Sequence, residues 1–127
     1  MSLGSEKRRT LRIPVAFRVK VDTIRGRFNG VGRDLSEGGM GIYLPKLPPV
    51  GSAVEVEFSL SENQPAISAS AEVSYHQRSS GGVSSDWMGV RFVRMDAAAH
   101  EAIRRFVSTH YGAPAPVGPP PLPRRSE

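Results

Sequence analysis

Gly32-Arg33-Asp34-Leu35-Ser36-Glu37-Gly38-Gly39-Met40-Gly41 runs straight into a short alternating segment, Gly41-Ile42-Tyr43-Leu44. At period two, Asp34 and Ser36 fall on one face of a strand and Leu35 turns into a core on the other. A carboxylate beside a hydroxyl can accept from a guanine amino group or a guanidinium, or it can tie a turn together. The glycines permit positive φ and let a ligand come close to the backbone. Taken alone, the stretch reads more readily as an ordinary turn in which Asp and Ser hydrogen-bond their own backbone.

Working outward, the flanking segments alternate in the manner of half-buried strands. Ile13, Val15, Phe17, Val19 and Val21 share one face of a long strand, with Arg18, Lys20 and Asp22 on the other. Val54, Val56, Phe58 and Leu60 alternate with Glu55, Glu57 and Ser59, and Ile67, Ala69, Ala71, Val73 and Tyr75 with Ser68, Ser70, Glu72, Ser74 and His76. Shorter runs are Met40, Ile42, Leu44 and Met88, Val90, Phe92. Between Phe28 and Leu35 the phase breaks around Gly30 and Gly32, the mark of a bulge or a close backbone approach. Five or six such strands separated by turn residues predict a small antiparallel barrel, and the absence of βαβ spacing argues against a parallel sheet. One helix follows. Asp96 suits its N-cap, while Ala99, Ile103, Phe106, Val107 and His110 line one side. Arg104 and Arg105 sit in the half where the helix dipole favours positive charge.

A chain of 127 residues has room for one domain. Its cysteine count of zero rules out disulfides and thiolate metal sites. It holds no apolar run long enough to span a bilayer and no apolar stretch behind Met1–Ser5, so no secretion signal is expected. Residues 1–5 are read as a disordered N-terminal segment. The cytoplasm is the expected compartment. From residue 112 the chain reads GAPAPVGPPPLPRRSE, whose six prolines forbid helix and pair poorly in sheets, so 112–127 is read as a disordered tail. Basic residues exceed acidic ones, 17 to 12, and 14 of the 17 are arginine. Arginine's planar fork grips phosphates and guanine edges bidentately. A GC-rich genome, which favours arginine codons, accounts for the composition equally well.

A second cluster lies ahead of the first strand: Lys7-Arg8-Arg9-Thr10-Leu11-Arg12. In an extended segment Arg8, Thr10 and Arg12 point the same way, with roughly 13 Å between the two arginines. They could straddle a ligand that offers several phosphate and base edges, or form a solvated basic arm. The two clusters together, Arg-x-x-x-Arg followed by Asp-x-Ser-x-x-Gly at the end of the next strand, resemble the PilZ domain family. Arg8 and Arg12 match the first motif; Asp34, Ser36 and Gly39 match the second. Trp87-Met88-Gly89-Val90-Arg91-Phe92 is similar to the family's late strand before its C-terminal helix. The likeness runs over residues 6–111.

The resemblance implies a mostly β fold: a six-stranded antiparallel barrel of the split-barrel kind with one C-terminal α-helix. It also implies a cyclic di-GMP receptor rather than an enzyme. Arg8 and Arg12 would grip guanine and phosphate, Asp34 and Ser36 would engage a guanine and the arginine arm, and Gly39 would shape the turn. Arg9 fits members that bind a stacked ligand pair, and Lys7 stands where a basic residue accompanies that mode, so two ligands per domain are expected. Trp87 and Gly89 correspond to late-strand positions bordering the ligand in some members. A protein effector is the expected partner of the ligand-bound form.

Two other readings stand beside this one. The first is a PilZ-like adaptor that does not bind the nucleotide and acts by protein contact. The second is a basic barrel that binds nucleic acid, for which the sequence offers no platform of exposed aromatics. His76, His100 and His110 lack metal-ligand spacing, Ser36 lacks a nucleophile elbow, and the glycine run lacks the Gly-Lys-Ser/Thr ending of a phosphate loop. No metal, no cofactor and no catalysis are expected.

Overall fold

The computed structural model describes residues 11–78 and 86–111. These form seven strands and a helix: β1 (Ile13–Pro14), β2 (Arg18–Thr23), β3 (Gly26–Leu35), β4 (Gly39–Tyr43), β5 (Ala53–Phe58), β6 (Ile67–Gln77), β7 (Trp87–Arg94) and α1 (Ala97–His110). All pairings are antiparallel. The order is β1-β3-β2-β5-β6-β7-β4, and β4 pairs back onto β3, so six strands close into a barrel with β1 as a short addition. Closure removes the unpaired edges that an open sheet would expose.

The alternation seen in the sequence becomes the wall of the core. Val19, Val21, Val54, Val56, Phe58, Ile67, Ala69, Ala71 and Val73 are buried, while their neighbours Lys20, Glu55 and Ser68 are exposed. Phe17 stacks on Phe58 at 5.3 Å and Phe58 on Phe92 at 6.4 Å, adding ring geometry to simple burial. The same core takes up Ile103 and Val107 of α1, with Ala99, Ala102 and Phe106 packed around them. His110 remains on the exposed side, where its Nδ1 lies 2.9 Å from the Phe106 carbonyl.

Asp96 is extended and its side chain accepts from the Ala99 N–H at 3.2 Å, which satisfies one of the helix's unpaired donors. Asp96→Ala should therefore cost about 1 kcal/mol of unfolding free energy, read as a lower urea midpoint at unchanged m-value. An unchanged midpoint would mean that the cap contributes nothing.

The single long strand expected over residues 13–21 is interrupted. Pro14 opposes Asp34 and Arg18 opposes Val31, so four steps on one side face three on the other. Pro14 lacks an N–H, and the chain crosses the mismatch through Val15 N–H to the Arg33 carbonyl and Gly32 N–H to the Phe17 carbonyl. On its opposite edge β3 also carries an extra residue: Gly32 pairs with Ile42 and Asp34 with Gly41, leaving Arg33 as the bulge. The phase break around Gly32 is this irregularity.

Candidate ligand-binding site

The bulge shapes the site. In a regular strand Arg33 and Asp34 would point to opposite faces, but a bulge re-aims a side chain and bends its strand. Here the two adjacent residues meet: Arg33 Nη1 donates to Asp34 Oδ2 at 2.7 Å. The other oxygen, Oδ1, accepts from Arg12 Nη1 at 2.5 Å and from the Gly41 N–H at 3.1 Å. Asp34's side chain is only 12% exposed, whereas those of Arg12 and Arg33 are 44% and 42% exposed. One largely buried carboxylate thus holds two half-exposed guanidinium groups. Charge-assisted bonds of this kind are roughly twice as strong as neutral ones. The surplus of positive charge faces outward.

Gly41 makes this approach possible. A Cβ there would lie 2.8 Å from Asp34 Oδ2 and 3.1 Å from the Trp87 ring. The alternation Gly39-Met40-Gly41-Ile42 accordingly sends Met40 and Ile42 inward, fully buried, and leaves the outer side open for close packing. Above that floor, Arg33's guanidinium lies 4.0 Å from the centre of the Trp87 ring, within cation–π range. Tyr75 meets Trp87 edge-on at 5.7 Å and 77°. Tyr75 reaches it across Gly89, where a Cβ would sit 2.3 Å from the tyrosine ring. Burial pulls the Arg33 pKa down, but its hydrogen bonds to Asp34 and Tyr43 outweigh that, and the net direction is up. Arg33 is a permanent cation in this setting.

Ser36 lies in the turn after β3. Its Oγ accepts from the Gly38 and Gly39 N–H groups at 3.3 and 3.2 Å and sits 3.3 Å from the Gly39 carbonyl. The backbone adds Ser36 N–H to the Gly39 carbonyl at 2.9 Å. In this form the hydroxyl organises the turn. Glu37, also in the turn and largely buried, lies 3.5 Å from His100 Nε2, which places α1 against the motif. Gly39 enters β4 opposite Arg91, against the backbone of β7.

Of the residues singled out in the sequence, Arg12, Asp34 and Trp87 come together through Arg33 and Gly41 where β3, β4 and β7 meet, while the turn Ser36–Gly39 lies at the β3–β4 connection, with Gly39 opposite Arg91. Gly89 serves the same side indirectly by making room for Tyr75. Arg8, Arg9 and Lys7 lie outside the described residues, as does the proline-rich segment. Arg33 was not singled out, although it stands beside Asp34. The signal that could have found it is the phase break, which places its side chain with that of Asp34 and not opposite it. Among the described residues no three His, Cys, Asp or Glu side chains group as a metal site, and no helix is long and apolar enough to cross a membrane.

A closed antiparallel barrel with a C-terminal helix and an Arg–Asp cluster on its wall defines a class of small β-barrel domains. The family profile described as PilZ domain matches residues 6–109, and the chain belongs to that family. No curated protein matches. Among solved structures, the Bacillus subtilis inhibitor of motility (MotI/DgrA) superposes with a TM-score of 0.71 at 14% identity, covering 79% of this chain and 49% of that one. The PilZ domain of Escherichia coli YcgR, solved with cyclic di-GMP, gives 0.61 at 16% identity over 77% and 86%. The PilZ domain of CeSA from a cellulose-synthesizing bacterium gives 0.55 at 20% identity over 77% and 95%. The chain spans about half the length of the motility inhibitor that it matches.

Proposed function

We propose that this chain is a cytoplasmic receptor domain for cyclic di-GMP and acts by binding, without catalysis. The observation that carries the reading is Asp34 holding Arg12 and Arg33 beside Trp87. This is a cationic cluster beside an aromatic ring on the barrel wall, in a chain whose two motifs stand in family order. Arg12 and Arg8 would take phosphate and guanine edges, with Arg9 and Lys7 balancing the charge of a second, stacked ligand. Asp34 and Ser36 would receive guanine donors, and Trp87 would border a base. Gly39 and Gly89 keep the backbone and Tyr75 in place behind them. Drawing the arginine arm onto this face would create a new surface for a protein effector. YcgR was solved with cyclic di-GMP, and MotI/DgrA is named as an inhibitor of motility. Control of motility or surface behaviour is therefore the process in which this receptor would act.

A thermal melt of the whole chain tests the reading. Ligand at about a hundred times its Kd adds about 2.7 kcal/mol, which raises Tm by roughly 10 °C or more for a domain of this size. Cyclic di-GMP should produce that shift and GMP at equal concentration should not. Equal curves with and without cyclic di-GMP would refute the proposal.

A further inference from the structure

We infer that Arg33 is a stacking platform for one guanine of the ligand, a specificity-determining residue that neither motif includes. The inference rests on the receptor reading and adds a residue and a role to it. Three observations converge. Arg33 is the extra residue of the β3 bulge, so its side chain leaves the strand's normal alternation. Its guanidinium is held by the 2.7 Å bond to Asp34 Oδ2 and by the 4.0 Å approach to Trp87. Its side chain nonetheless stays 42% exposed.

A guanidinium that lies on an indole with one face presents its other face outward. That face is flat, cationic and already oriented, the surface on which nucleobases stack. Trp87 is itself braced edge-on by Tyr75 and lies close over Gly41, so the Arg33 plane is supported from beneath. Little side-chain freedom remains to be lost when a base arrives, which favours affinity. A guanine on this platform would be near Asp34, whose carboxylate can accept from its amino group, while Arg12 on the opposite oxygen is placed for a phosphate. The order Trp87, Arg33, guanine makes a three-layer stack, with the charge in the middle layer.

The test separates a plane from a charge. The 127-residue chain carrying Arg33→Lys or Arg33→Ala is titrated with cyclic di-GMP by calorimetry, and the emission of Trp87, the chain's only tryptophan, is followed in parallel. Lysine keeps the charge and loses the flat fork, so a stacking platform predicts roughly tenfold weaker binding for Arg33→Lys and at least as large a loss for Arg33→Ala. Wild-type Trp87 emission should change on binding, with a smaller change in both variants. Wild-type affinity in Arg33→Lys would show that charge alone acts, and tighter binding in Arg33→Ala would show that Arg33 blocks the base. Either result overturns the platform and leaves the receptor reading standing. No response in the wild type would overturn both. Melting of each variant without ligand, expected near the wild-type temperature, guards against a folding defect.

Discussion

Asp34→Asn should weaken cyclic di-GMP binding by about a hundredfold. The substitution nearly preserves shape, and the side-chain oxygen can still accept from the Gly41 N–H, which Oδ1 accepts at 3.1 Å. It removes the negative charge that Arg12 and Arg33 share through the two oxygens. Bonds to a charged group contribute about 1.5–3 kcal/mol each, and a hundredfold in Kd corresponds to about 2.7 kcal/mol, so loss of the pair's organisation suffices. An asparagine also turns an amide donor toward one guanidinium, which displaces that arginine. Circular dichroism of the unliganded variant should remain that of a folded barrel, because the core residues Leu35, Met40 and Ile42 are untouched. Wild-type affinity in a folded Asp34→Asn protein would show that the carboxylate does not organise the site.

The second large effect falls on stability. A Cβ on Gly39 would lie 2.1 Å from the backbone carbonyl oxygen of Val90, a contact that no rotamer change relieves. Gly39→Ala must therefore push β4 away from β7 at the seam beside the site. Forced overpacking typically costs 1–3 kcal/mol, and a backbone collision belongs at the upper end, about 3 kcal/mol. For a domain of this size that lowers Tm by roughly 10–20 °C. Gly38→Ala is the matched control, since a Cβ there meets nothing within 4 Å and should leave Tm almost unchanged. Equal melting of the two variants would mean that the seam is not as tight as the geometry requires.

The glycine at position 39 is thus needed by the barrel itself. Sequence reading located it through the motif, but the reason lies in a strand pairing fifty residues away, which periodicity cannot reveal. The barrel itself was legible because Val19, Val54, Ile67 and their alternating partners each state which face is inward. The helix was legible through Asp96 and the spacing of Ile103 and Val107. What remained hidden came from irregular pairing. The break between β1 and β2, and the extra residue on β3, move side chains off the period-two pattern on which the reading depended. Ser36 illustrates the remainder: placing it on one face with Asp34 was reasonable for a continuous strand, yet its hydroxyl closes the turn onto Gly38 and Gly39. Gly89 shows the same thing from the other side, since its packing beneath Tyr75 depends on a bulge in β6 between Val73 and Tyr75. The Arg33–Trp87 stack joins β3 to β7, and no local spacing encodes a contact over that distance.

Isothermal titration calorimetry of the chain with cyclic di-GMP decides whether it is a receptor, because a single trace gives both affinity and the number of ligands. A receptor that takes up a stacked pair gives a saturable exchange of heat at a ratio near two ligands per chain, with no comparable signal from GMP. No saturable heat with cyclic di-GMP, from protein shown to be folded, would contradict it.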